Sequence, residues 1–125
     1  RIEHEAVRKI LSGLIDGEQI ERIFLEFDAH KTAEAKFAYM CDKLECDLQC
    51  KLYDEEGCVD LNDQEDNETA ANSHVKALLE SEKTWSGMWL KFGQEKYPYD
   101  ENFMAVSEYA MKNTLSRCIK STTVI

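Results

Sequence analysis

The sequence predicts an all-α protein, a helical bundle, and three features of its pattern support this. Apolar residues recur at steps of three and four along most of the 125-residue chain, as on one face of an amphipathic helix. No segment shows the convincing alternation of a half-buried strand. Pro98 is the only proline, so long stretches are free to form helices. We expect a single helical domain over residues 1–125.

The first two predicted helices form an antiparallel pair. One covers residues 2–14 and ends near Gly13, since glycine commonly follows a helix C-terminus. The other begins near Asp16, which has capping-box spacing to Gln19, and ends near His30. The short connection favours an αα-hairpin. The side chains expected to be buried are Val7, Ile10, Leu11, Leu14, Ile20, Ile23, Phe24 and Phe27.

The longest predicted helix runs from Thr32 to Asp54 without Gly or Pro, and Thr32 stands where an N-cap is expected. Its predicted apolar stripe consists of Phe37, Cys41, Leu44, Leu48 and Leu52. Asp42 follows Cys41 directly, so it lies roughly 100° around the helix from it, at the edge of the stripe. An acid near a core needs a cation, a backbone donor or a metal ion as its partner.

The second half of the chain begins with an acidic loop, predicted over residues 54–68, where acids occur without any basic residue. A helix over about 69–83 follows, and Pro98 then marks a break before a last helix capped by Asp100. Trp85, Met88, Trp89 and Phe92 form an aromatic stripe. This stripe fits core packing, a base-stacking pocket or a dimer face. The last helix has a wide apolar arc, which fits deep burial or contact with a second subunit.

Charge and composition limit the partners. A formal net charge of −10 argues against binding of nucleic acid polymers or anionic membranes, because their phosphates would be repelled. No apolar run approaches the length of a membrane span, and nothing resembles a signal peptide. The five cysteines include no C-x-x-C pair, which favours free thiols in the cytoplasm over a disulfide framework or a zinc site.

The segment AEAKFAYMCDKLECDLQCKLYDE resembles the late core helix of HD-domain metal-dependent phosphohydrolases, in particular the branch similar to 5'-deoxynucleotidases. The preceding segments RIEHEAVRKILSGL and IERIFLEFDA resemble the two helices before it. The resemblance covers the first half of the chain well and implies the C-terminal part of an HD-domain fold. The matching residues are Glu34, Ala35, Lys36, Phe37, Asp42, Lys43, Leu44, Glu45, Gln49 and Tyr53.

The resemblance implies that Asp42 is the last ligand of a divalent ion, which the ligand chemistry narrows to Mn, Co, Fe, Zn or Mg. Glu45, one turn further on, would orient a ligand or the attacking water. The other implied ligands are an upstream His and a His-Asp pair, but His4, His30 and His74 are not followed by Asp, so we do not assign them. No further catalytic residue can be named.

The implied activity of the intact protein is phosphate release from a nucleoside 5'-monophosphate or another small phosphate ester, by a homodimer. The 125 residues alone are expected to bind metal poorly and to be inactive. A second hypothesis is a non-catalytic α-helical dimerisation or interaction module. Its interface would be the aromatic stripe from Trp85 to Phe92 together with the last helix.

Overall fold

The all-α prediction is confirmed by the structure, a computed structural model that describes residues 2–116. Over this range it contains helices and no strand. None of these helices is both long enough and apolar enough to cross a membrane. The helices are α1 (Ile2–Leu11), α2 (Gly17–Ala29), α3 (Ala33–Glu55), α4 (Glu68–Ala71), α5 (Ser73–Glu82), α6 (Trp85–Lys96) and α7 (Glu101–Lys112).

The chain divides after Cys41 into two compact units, and the division falls inside α3. In the first unit α1 packs on α2. Arg8 Nε lies 2.8 Å from Glu21 Oε1, and His4 Nε2 lies 2.7 Å from Asp28 Oδ2, so two polar pairs link these helices. The interpretation of residues 1–125 as one domain stays a prediction.

The connection between α1 and α2 differs from the prediction. Helix α1 ends at Leu11, earlier than expected, and Gly13 follows with a φ of +81°, which glycine adopts without steric cost. Asp16 also adopts the left-handed conformation, with a φ of 60°, and its side chain makes no cap hydrogen bond. The predicted capping box is therefore wrong, because an N-cap side chain reaches the first turn from an extended backbone.

The predicted buried face of the first unit is wrong for half of its residues. Ile10, Leu14, Ile20 and Ile23 are exposed, whereas Val7, Leu11, Phe24 and Phe27 are half-buried. Ala35 and Gly17 are the buried residues among residues 2–41. Two short helices and the start of α3 do not supply enough surface to cover every apolar side chain. The exposed ones are Ile2, Ile10, Leu14, Ile15, Ile20, Ile23 and Phe37.

Helix α3 begins as predicted, because the Thr32 hydroxyl accepts a hydrogen bond from the Ala35 N–H at 3.2 Å. Its predicted apolar stripe is only partly confirmed. Leu44 is buried, and Leu48 and Leu52 are half-buried. Cys41, like Phe37, is exposed.

The core of the second unit lies between α5 and α6. Val75, Leu78, Trp85 and Met88 form its buried cluster, and Trp89 and Phe92 pack against it. Core packing is therefore the observed role of the aromatic stripe, at least for its buried members. A break occurs between α6 and α7 around Pro98, as predicted.

Helix α7 is capped as predicted, since the Asp100 carboxylate accepts from the N–H groups of Asn102 and Phe103. Ala110 is buried, whereas Val106 and Tyr109 remain exposed, so only part of its wide apolar arc is covered. Cys118, assigned to this helix from the sequence, lies outside the described residues.

Acidic side chains tie the C-terminal end of α3 to the rest of the second unit. Asp54 accepts from the Ser86 N–H at 2.9 Å, at the start of α6. Glu55 accepts from the N–H groups of Leu115 and Ser116, the latter at 2.8 Å. Burial would raise the pKa of Glu55, but these bonds and Lys51 outweigh it, so the pKa is lowered. Asp54, predicted to end this helix, and Glu55, predicted to lie in the acidic loop, are the last two residues of α3. Residues 56–67 form the connection to α4.

Candidate functional site

Asp42 lies on the exposed side of α3. Its side chain is 52% exposed, and Oδ2 lies 2.8 Å from Nζ of the adjacent Lys43. The expectation that it sits at the edge of a buried stripe is wrong, because the stripe is not buried at this point: Cys41 is exposed as well. The proposed role of Asp42 as a metal ligand stays a prediction.

Glu45 is exposed and lies on the same row of α3 as Asp42, since residues three apart share a helix face. Unlike Asp42, it lines a cavity. The helix thus places the two candidate residues next to each other.

The histidines have structural environments. His4 pairs with Asp28. His30 ends α2 in the left-handed conformation, and its ring centroid lies 4.1 Å from that of Tyr39. His74 Nε2 lies 3.2 Å from Glu95 Oε2. Among residues 2–116 no group of three or more His, Cys, Asp or Glu side chains is arranged to hold a metal ion.

A cavity of about 470 Å³ lies within the second unit. Its lining comes from the part of α3 between Lys43 and Tyr53 and, further along the chain, includes Trp85, Trp89 and Tyr97. The volume is within the range of sites for small organic ligands, and its mixture of aromatic walls with a few polar groups is also typical of them.

Asp47 also lines the cavity, and it was not among the candidate residues predicted from the sequence. Its residue is only 3% exposed, and Oδ2 accepts a hydrogen bond from the Tyr99 hydroxyl at 3.0 Å. Burial raises the pKa of Asp47 to about 6, although the Tyr99 bond and the Lys43 charge act in the opposite direction. Asp47 follows Leu44 by three residues, so the two side chains lie on the same face of α3. This spacing is the sequence feature that could have predicted the burial of Asp47.

Close packing surrounds Asp47. A Cβ atom on Gly93 of α6 would lie 3.0 Å from Asp47 Cγ and would overlap Oδ2, so glycine is needed at this contact. Burial and the neighbouring Asp47 carboxylate raise the pKa of Tyr99, which keeps its hydroxyl protonated as a donor. Burial raises the pKa of Cys50 to about 12, so this thiol in the cavity wall is neutral and a poor nucleophile.

Comparison with known proteins decides the family. A family model described as an HD domain matches residues 1–85, which is more than half of the chain. The chain belongs to the HD-domain family. The matched segment includes Asp42, Glu45 and Asp47. Searches of curated proteins and of solved structures found no match.

HD domains are metal-dependent phosphohydrolases at the family level, and they typically bind divalent metal ions. The described residues of this HD domain do not fit such an ion by themselves. A catalytic metal site needs three or so protein ligands, whereas Asp42 has only Lys43 as its charged partner and no histidine of residues 2–116 joins a ligand group.

Proposed function

We propose that the intact protein is a phosphomonoester hydrolase of the HD type that acts on nucleoside 5'-monophosphates, as in the 5'-deoxynucleotidase-like branch. The observation that carries this proposal is the HD-domain match over residues 1–85. In this proposal Asp42 supplies one metal ligand, and the histidine ligands come from outside these 125 residues. The 125 residues alone are then inactive.

The surroundings of Asp42 support the proposal. Its side chain is 52% exposed, and the Lys43 ammonium group lies 2.8 Å from its Oδ2. An ion pair with an exposed carboxylate contributes little to stability, so an incoming metal ion can compete with the lysine for Asp42. Glu45 lies one turn further along and orients a ligand or the attacking water.

The experiment is a phosphate-release assay on the product of the full reading frame, with added Mn²⁺ or Co²⁺ and a panel of ribo- and deoxyribonucleoside monophosphates. Asp42→Asn should lower activity by about a hundredfold or more while the fold is retained, because the loss of one ligand weakens a metal site. Asp63→Asn, which changes an exposed acid of the α3–α4 connection, is the matched control. Full activity of Asp42→Asn would remove its proposed role.

A non-catalytic interaction module is the second candidate, and the exposed apolar side chains of the first unit favour it. Seven large ones are exposed between Ile2 and Phe37. Apolar surface of this kind is often covered by a partner. If the full-length protein releases no phosphate from any ester of the panel yet associates through this surface, the module is the correct interpretation.

For either function we propose a homodimer in the cytoplasm. Cys41, Cys46, Cys50 and Cys58 are free thiols, as expected in a reducing compartment. A net charge of −10 disfavours polynucleotides and anionic membranes as partners.

Light scattering at increasing protein concentration tests the dimer. The double variant Ile20→Glu with Ile23→Glu should be a monomer. A wild-type protein that stays monomeric at high concentration would contradict the proposal.

A further inference from the structure

The cavity of about 470 Å³ in the second unit has a lining that favours one class of ligand. All of its lining residues belong to residues 43–97, so it lies within one compact unit. Asp42 does not line it, so the cavity is a feature separate from the proposed metal ligand.

Aromatic rings form much of the lining. Trp85 and Trp89 meet edge to face, with ring centroids 6.5 Å apart and an interplanar angle of 78°. Tyr53 also lines the cavity, from α3, and is 51% exposed. The face of an aromatic ring carries partial negative charge and attracts ammonium groups, most strongly in tryptophan. The lining is therefore suited to a cation that also has apolar surface.

Two lysines of the chain already make this kind of contact beside the cavity. Lys96 Nζ lies 5.6 Å from the centroid of the Tyr97 ring, and Lys43 Nζ lies 6.0 Å from the same centroid. Tyr97 thus has ammonium groups of the protein itself as neighbours. We therefore assign the ligand to the other three rings of the lining, those of Tyr53, Trp85 and Trp89.

The charged side chains at the cavity favour a cation. Glu45 and Asp47 are its acidic lining residues, and Lys43 is its basic one. The Lys43 ammonium group lies 2.8 Å from Asp42 Oδ2, so an adjacent carboxylate compensates its charge. Glu45 is exposed, and within residues 2–116 no lysine or arginine forms an ion pair with it. Its negative charge is therefore available to a ligand.

The cavity wall at Cys50 experiences negative charge as well. Burial raises the pKa of this thiol to about 12, and the charges of Asp54 and Asp47 add to the increase. Negative charges that disfavour a thiolate favour a cation at the same place. Asp47 acts here by its charge alone, because it is 3% exposed, accepts from Tyr99 and is packed against Gly93.

A methylated ammonium group fits this lining better than a primary amine does. A primary ammonium group has three N–H donors to satisfy, whereas the indole rings of Trp85 and Trp89 have no acceptor. A trimethylammonium group has no N–H donor, and it is bound by aromatic faces and by opposite charge. The volume of the cavity leaves room for the chain that carries this group.

We propose that this cavity binds a small molecule with a trimethylammonium group, held against the rings of Tyr53, Trp85 and Trp89, with the Glu45 carboxylate as its counter-charge. This binding site goes beyond the proposed function, because it involves neither a metal ion nor a phosphate ester.

The test measures binding of choline to the 125-residue chain by tryptophan fluorescence and calorimetry, without metal and at constant ionic strength. Choline should bind saturably. Its uncharged analogue, in which a tert-butyl group replaces the trimethylammonium group, has the same shape and should bind about 10-fold more weakly. Ethanolamine, a primary amine, should also bind more weakly than choline.

Three outcomes would overturn the proposal: no saturable binding of choline, equal affinity for choline and its tert-butyl analogue, or tighter binding of ethanolamine than of choline. Association with phosphatidylcholine vesicles without binding of free choline would contradict a small-molecule ligand.

Variants locate the interaction. Tyr53→Leu replaces a half-exposed ring by an apolar side chain, so it should weaken choline binding roughly 3- to 10-fold and that of the tert-butyl analogue much less. Trp89→Leu, checked for folding by circular dichroism, should act in the same way. An equal loss for both ligands in both variants would show that the rings act by shape alone and would refute the proposal.

The counter-charge is tested separately. Glu45→Gln should weaken choline binding at low salt, and this loss should shrink as salt is added, because Glu45 is exposed. Glu80→Gln, which changes an exposed acid of α5 outside the cavity, is the matched control and should bind choline like the wild type. Unchanged choline affinity of Glu45→Gln at low salt would refute the role of this carboxylate.

The cavity proposal and the hydrolase proposal fail separately. Choline binding by the chain, with no phosphate release by the full-length protein, would refute the hydrolase and leave the ammonium site standing. Phosphate release from nucleoside monophosphates without any choline binding would refute the ammonium site alone.

Discussion

Asp47 is an acidic residue in a buried position, where its carboxylate cannot be fully hydrated. A carboxylate loses hydration when it is buried, and the hydrogen bond from Tyr99 offsets this cost only in part, so the pKa of Asp47 rises to about 6. Gly93 permits the approach of α6 to this carboxylate, because any larger side chain would overlap it. One acid and one glycine, 46 residues apart by their numbers, thus depend on each other.

The raised pKa of Asp47 predicts how stability changes with pH. The pKa rises from an ordinary value of 3.8 to about 6 on folding, so the folded state binds more protons between these values. The free energy of unfolding contributed by Asp47 therefore falls as pH rises through that window. Asp47→Asn should be more stable than the wild type at pH 7.5, on the order of 1–3 kcal/mol.

Urea unfolding at pH 7.5, 5 and 4 measures this difference, which should shrink as the pH falls. Asp63→Asn should show no such trend. A difference independent of pH would show that Asp47 titrates in the folded protein as it does in the unfolded one.

The contact between Gly93 and Asp47 predicts a coupling. Gly93→Ala should lower the free energy of unfolding by about 1–3 kcal/mol, because the added methyl group overlaps the Asp47 carboxylate. In an Asp47→Ala background the same substitution should cost less, since the overlapping atoms are gone. Thermal unfolding of the four proteins in this cycle measures the coupling, and equal costs in both backgrounds would contradict it.

At the scale of elements, the helices begin where polar side chains satisfy their free N–H groups. Asn67, Asn72, Thr84 and Asp100 each accept from backbone N–H groups in the first turn of the helix that follows. Asp16 is the contrast, because its left-handed backbone leaves the side chain without a cap bond. A cap is thus decided by backbone conformation as well as by residue type.

Asp100→Ala should lower the free energy of unfolding by about 1 kcal/mol, because the N–H groups of Asn102 and Phe103 lose their acceptor at the start of α7. Asp63→Ala removes an acid at an exposed position and should cost much less. Urea unfolding at constant pH compares the two. Equal effects would mean that the Asp100 cap contributes nothing specific.

At the scale of the whole molecule, burial is uneven between the two units. Helix α1 has no buried residue and α2 buries only Gly17, whereas α6 buries Trp85, Ser86, Met88, Leu90 and Gly93. Regions with few buried apolar contacts open more readily than packed cores. The chain should therefore unfold locally at its first two helices.

Hydrogen exchange followed by mass spectrometry tests this expectation. Amides of α1 and α2 should exchange at least about tenfold faster than those in the interior of α6, a ratio that corresponds to about 1.4 kcal/mol of opening free energy. Peptides that cover α5 provide an internal reference, because Val75 and Leu78 are buried there. Equal protection of α2 and α6 would contradict the expectation and indicate that a partner covers the first unit.

The sequence by itself determined the helical class, the helix starts at Thr32 and Asp100 and the break at Pro98, because caps, prolines and hydrophobic periodicity act over a few residues. The resemblance to an HD domain was also evident from the sequence, and the matching family model confirms the HD-domain family.

Only the tertiary structure decided which side of α3 is buried, because burial depends on what packs against a helix and not on its own pattern. Phe37 and Cys41 follow the apolar spacing and are exposed, while Asp47 breaks it and is buried beneath Gly93 and Tyr99. An acid can occupy a core position when a hydroxyl group donates a hydrogen bond to its carboxylate. Here the donor is 52 residues away in the sequence, so a pattern of neighbouring residues cannot predict it.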